Sequence, residues 1–219
     1  MQSSPSPVPT PAALSAASPA APPAPYPAAG RHARNAPLDI RPLDGALGAE
    51  VFGLRLDQDW NADDFARLHR AHLDHHLLIF RDLDITPGQQ IAFSRRFGPL
   101  QIHVLHQFQL AGHPEILIVS NIVENGAPVG LGDAGHFWHS DLSYKEKPSL
   151  GSMLYAQELP AEGGDTLFAN QHLAWETLPA ELRQAVEGRH AEHTYLARYA
   201  ELQARSPWRP NLSEAQRAQ

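Results

Sequence analysis

The chain has 219 residues, with 24 Asp and Glu against 17 Lys and Arg, a formal net charge of −7 and no cysteine. That length suits one domain with a sizeable core and leaves too little for a second, while an acidic chain without a basic run offers no footprint for nucleic acid or an anionic membrane. Without cysteine there is neither a disulfide framework nor a thiolate site, so any metal is held by nitrogen and oxygen donors.

Residues 1–37 contain ten of the twenty prolines, mixed with Ala and Ser and almost free of charge. Such a segment buries too little surface to offset its ordering entropy and is expected to be a disordered tail. Proline interrupts every apolar stretch in it, which argues against a secretory leader. The folded domain is expected over 38–219. It opens with an antiparallel pair carrying Leu38, Ile40 and Val51, joined through Gly45 to Gly48. Asn61 with Asp63 and Asp64 predicts a helix start, after which Phe65, Leu68, His72 and His76 share one face. A buried strand is expected over Leu77 to Phe80. Thr86-Pro87-Gly88-Gln89 has the cap, first-turn proline and returning glutamine of a capping box, and Gly98-Pro99 stops the helix it opens. Strands are then predicted near 115–121, 151–158 and 165–169. A helix between Pro179 and Gly188 follows, then a largely polar one from about Tyr195. The longest apolar stretches, Leu77 to Phe80 and Ile116 to Val119, are too short to cross a bilayer, so the expectation is a cytoplasmic protein acting on a small molecule.

The triplet His139-Ser140-Asp141 is the first chemical candidate. In extended chain, side chains two apart point the same way, so His139 and Asp141 can face one metal ion. Two His and a carboxylate on one face of an octahedron are the ligand set of non-haem Fe(II) oxygenases. Taken alone, such a triplet occurs often by chance, and a surface turn or a satisfied polar pair is the favoured reading.

Several separate blocks bear on that choice: Gly48-Ala49-Glu50-Val51 with Gly53-Leu54; Leu78-Ile79-Phe80-Arg81-Asp82 with Ile85-Thr86-Pro87 and Gln90; Phe97-Gly98; Trp138-His139-Ser140-Asp141; and Glu158-Leu159-Pro160 with Gly163-Gly164-Asp165-Thr166. In order and spacing, from Leu38 to about Tyr195, the chain resembles the taurine dioxygenase (TauD/TfdA) family of Fe(II)- and 2-oxoglutarate-dependent dioxygenases. The resemblance implies an α+β fold with a double-stranded β-helix (jelly-roll, cupin-like) core and flanking helices. It assigns iron ligation to His139 and Asp141, 2-oxoglutarate binding to Thr166 and substrate binding to His103. O2 is the other co-substrate it implies, and relatives are often homo-oligomers. His106 stands where the taurine enzyme has Tyr, and Gly135 where it has Asn, so a sulfonate, a sulfate ester or a carboxylate all fit; a potentially cationic imidazole at His103 favours an anionic substrate.

The resemblance also implies a second metal His, and beyond it an Arg that clamps 2-oxoglutarate, both far downstream of Asp141. Only 78 residues follow Asp141 here. His172, His190 and His193 are expected to be solvated or structural, and Arg198, Arg205 and Arg209 to lie in an exposed polar region. The expectation is therefore a C-terminally truncated domain with missing strands and little or no activity of its own. The alternative is a degenerate, non-catalytic binding fragment; a metal hydrolase built on His139 and Asp141 is less favoured, for want of a water-activating carboxylate at a recognisable spacing.

Overall fold

A computed structural model describes residues 37–56, 61–81, 83–206 and 208–217. The expected tail falls almost entirely outside the described residues.

The first layer follows local sequence closely. Strands β1 (Asp39–Pro42) and β2 (Ala49–Phe52) pair antiparallel, with Ile40 opposite Val51. Gly48 closes the connection at φ 106°, a backbone angle that excludes most side chains. Asn61 caps helix α1 (Ala62–His75) by accepting the Asp64 N–H, and Asp63 and Asp64 sit at the positive end of the helix dipole. His76 ends the helix in the left-handed conformation, φ 64°, and sends the chain directly into β3 (Leu78–Phe80). That strand lies parallel to β2, Ala49 opposite Leu78, with α1 as the crossover. Helix α2 (Pro87–Ser94) opens on the predicted capping box: the Gln89 N–H donates to Thr86 Oγ1 at 3.3 Å and the Thr86 N–H to Gln89 Oε1 at 2.8 Å. The helix stops at Ser94, ahead of Gly98. Leu38, Val51, Leu54, Leu68 and Phe93 form the core of this layer, with Phe80, Phe97 and Met153 packed against it.

A second core joins Val104, Leu105, Phe108, Leu131, Tyr199 and Leu212. It gathers the 3-10 turn His106–Phe108, the hairpin of β4 (Gln109–Leu110) and β5 (His113–Leu117), and the later helix α5. Past β5 the chain doubles back through the short hairpin of β6 (Val123–Glu124) and β7 (Ala127–Pro128). The returning chain lies against the outgoing one, with Leu131 N–H donating to Ile118 O at 2.8 Å. Helices α3 (Gln171–Glu176), α4 (Ala180–Val186), α5 (Tyr195–Arg205) and α6 (Glu214–Arg217) complete the described chain. None of the described helices is long and apolar enough to cross a membrane.

Two sequence expectations fail here. Residues 151–158 and 165–169 form no strand. The first stretch keeps a strand's alternation for a few residues: Met153 and Tyr155 turn inward, the Tyr155 hydroxyl donating to Leu83 O at 3.1 Å, while Leu154 is 69% exposed. A strand needs a neighbouring ladder as well as alternation, and no described segment pairs with either stretch. Leu159, Leu167 and Phe168 stay exposed for the same reason. The described strands make three small sheets, of three, two and two strands.

Arg209, expected in an exposed region, is the other correction. Its side chain is only 5% exposed and lies along the Asp133 carboxylate.

Candidate metal centre

The approach to His139 is fixed from two sides. Leu131 is anchored in the second core, and Asp133, two residues on, is held by Arg209. From α5 the Arg198 guanidinium covers the Phe137 ring at 4.2 Å, and the Phe137 and His139 ring centroids are 5.1 Å apart. Phe137 O lies 2.8 Å from His139 Nδ1. A carbonyl accepts only, so Nδ1 carries a proton and Nε2 is the nitrogen left to meet a ligand. Nε2 and Asp141 Oδ1 are 3.2 Å apart. The other carboxylate oxygen, Oδ2, accepts from the Ser152 hydroxyl. Leu142, at φ 55°, then turns the chain away from the pair.

Two donors on one octahedral ion with bonds of about 2.1 Å sit roughly 3 Å apart when adjacent. The separation of His139 Nε2 and Asp141 Oδ1 matches that spacing, and the Nδ1 hydrogen bond selects the ligating tautomer, so these two residues fit adjacent positions on a divalent ion. Both side chains remain accessible, 38% and 50% exposed. Among the described residues no third His, Asp or Glu joins them.

The remaining predicted residues are placed differently. His103 is largely buried, and its Nδ1 accepts the Leu105 N–H at 3.1 Å, which puts the ring proton on Nε2. Burial pushes its pKa down, the Arg209 charge adds to the fall, and the Asp141 carboxylate opposes it. Burial thus favours the neutral ring, a donor through Nε2, over the cation that the sequence allowed. Thr166 is exposed in irregular chain after the left-handed Gly163 and Gly164, and no hydrogen bond links it to His139 or Asp141. His172 stacks on His76 with centroids 5.3 Å apart, and His193 Nδ1 lies 3.0 Å from Ser143 Oγ; neither reaches the pair. Ser152 was missed by sequence reasoning. Its hydroxyl reaches Asp141 from a stretch eleven residues on, and no spacing rule connects the two.

Residues 39–217 match the model of the family described as taurine catabolism dioxygenase TauD, TfdA family. Pentalenolactone F synthase from Streptomyces arenae is 35% identical over 169 residues, 75% of this chain and 56% of that protein. The (S)-phenoxypropionate/alpha-ketoglutarate-dioxygenase of Sphingobium herbicidovorans is 33% identical over 71% of this chain and 53% of its own. Among solved structures, a taurine dioxygenase from Burkholderia xenovorans superposes with a TM-score of 0.57 at 30% identity, covering 69% of this chain and 51% of that one. The chain spans about half the length of the relatives it matches. Motif blocks, family model and structural likeness agree, and the chain belongs to the TauD/TfdA family.

Proposed function

We propose that this chain carries part of the active site of an Fe(II)- and 2-oxoglutarate-dependent dioxygenase that hydroxylates a small anionic organic molecule, with succinate and CO2 as co-products. The supporting observation is the 3.2 Å approach of His139 Nε2 to Asp141 Oδ1, with the tautomer set by Phe137 O. Iron, together with 2-oxoglutarate and O2, supplies the oxidising chemistry. His139 and Asp141 hold the ion on one side, and Ser152 orients the carboxylate by donating to its second oxygen. Thr166 is assigned to the 2-oxoglutarate carboxylate. His103 presents a neutral Nε2–H to the anionic end of the substrate. A carboxylate substrate agrees with the relative named for phenoxypropionate. The family likeness further supports a jelly-roll core for the complete domain.

With two protein donors in place of three among the described residues, iron is held weakly, and turnover by these 219 residues is expected to be low. Equilibrium dialysis of labelled 2-oxoglutarate with and without Fe(II) tests the assignment. Retention that requires Fe(II) and disappears in Asp141→Ala supports it; retention independent of Fe(II), or none, refutes it. In parallel, substrate-coupled succinate should stay near the protein-free background, and robust coupled succinate would refute the low-turnover reading.

A further inference from the structure

A cavity of about 200 Å³ opens between the loop that follows Asp141 and the last two helices. Tyr144, Lys145, His193, Tyr195, Gln216 and Arg217 supply its polar groups, with Val104 and Leu196 as apolar lining. It lies beyond the residues assigned to iron, 2-oxoglutarate or substrate.

Its charge is one-sided. Lys145, Arg217 and His193 line it and no carboxylate does, although Asp and Glu outnumber Lys and Arg by 24 to 17 over the chain. The two full cations have no counter-ion among the described residues, whereas the neighbouring Arg198 pairs with Glu201 and Arg209 with Asp133. The walls are also held in place. Gln216 Nε2 donates to Val104 O at 2.6 Å, and its backbone N–H to Ser213 Oγ, while Ser213 N–H donates back to Gln216 Oε1. Arg217 Nε donates to Leu212 O at 3.1 Å, which fixes the guanidinium plane and leaves its terminal amino groups for another acceptor. His193 is tethered through Nδ1 to Ser143, leaving Nε2. The Tyr144 and Tyr195 rings stack 4.8 Å apart, and burial pushes the Tyr195 hydroxyl up to about 12, so it stays a proton donor at any ordinary pH.

We propose that this cavity is an oxoanion site, in which Lys145 and Arg217 bind a carboxylate, sulfate or phosphate group of a small molecule. Two cations without a counter-ion among the described residues, brought to one concave site, attract an anion more strongly than either would alone. At about 30 Å³ per water molecule in the liquid, the volume admits one oxoanion and a short carbon skeleton. It is smaller than a site for a drug-sized ligand. The site stands independently of the iron assignment, because nothing in it requires metal.

Calorimetric titration of the metal-free 219-residue chain at low ionic strength, with inorganic phosphate, sulfate and acetate in separate arms, tests this. Saturable binding with a dissociation constant on the order of 1 mM is expected for at least one of them. Lys145→Met and Arg217→Met, which keep the apolar stem, should each weaken it at least about tenfold; Arg189→Met, an exposed arginine outside the cavity, should leave it unchanged. The arm that binds tightest identifies the oxoanion geometry. No saturable binding in any arm, or equal affinity in all variants, overturns the proposal. Should a variant fail to fold, amide shift mapping on the unsubstituted chain decides: phosphate or sulfate must move Tyr144, Lys145 and Thr194, and shifts confined elsewhere refute the site.

Discussion

Arg209 and Asp133 form a two-point ion pair, with Nε 2.6 Å and Nη2 2.7 Å from the two carboxylate oxygens. The pair joins the segment after α5 to the chain that leads into His139. The Arg209 guanidinium also lies 5.1 Å over the Tyr199 ring, and Tyr199 donates to Pro210 O at 2.8 Å, which closes the same corner. Breaking one partner of a pair this buried strands the other charge. Arg209→Met is expected to cost about 3 kcal/mol, read as a lower urea midpoint with an unchanged slope. A loss within about 0.5 kcal/mol, as for an ordinary surface substitution, would mean that the pair does not hold this corner.

Gly130 lies where the returning chain crosses the end of β5. A Cβ there would sit 2.7 Å from both Ile118 Cγ2 and Ile118 O and 2.9 Å from Ser120 N. Two of these are backbone atoms and cannot swing aside. Gly130→Ala is expected to destabilise by about 2 kcal/mol through overpacking, whereas Gly45→Ala, with nothing within 4 Å, should be close to neutral. Equal thermal midpoints for the two variants would contradict the tight crossing.

His72 sits on the inner face of α1, against the Phe97 ring, with Nδ1 buried and without a hydrogen-bond partner among the described residues. Burial, and then the neighbouring His69 and His76, push its pKa below the ordinary histidine value. Above about pH 6.5 the ring is neutral in both folded and unfolded chains and costs nothing. Between that value and the lower folded one, the unfolded chain binds the proton first, so stability falls as pH falls. The shift of His103 has the same direction. Unfolding midpoints measured from pH 7.5 to 5 should therefore decline, and more steeply than in His72→Met. Parallel pH profiles for the two proteins would contradict the buried neutral ring.

The first layer was legible in the sequence because its determinants are local. Asn61 caps α1 and Thr86 with Gln89 caps α2 within four residues of chain, and alternation around Ile40 and Val51 places the hairpin. What failed depends on partners distant in sequence. The alternation at Met153 and Tyr155 is real, but a strand also needs a neighbour. Arg209 reads as polar surface until Asp133, 76 residues away, is brought beside it. At the metal centre, the spacing of His139 and Asp141 was readable, and the blocks around it carried the family. The His139 tautomer rests on a backbone turn that brings in Phe137 O, while the Ser152 contact and the lowered pKa of His103 come from packing between distant segments.

The central claim is that His139 and Asp141 are two donors to one divalent ion. Anaerobic calorimetric titration of Fe(II) into the 219-residue chain, beside His139→Ala and Asp141→Ala, tests it most directly. The account predicts weak one-to-one binding that falls at least about tenfold in each variant, roughly 1.4 kcal/mol or more, with the fold retained. Fe(II) binding of equal strength in all three proteins, or no binding by the unsubstituted folded chain, would contradict it.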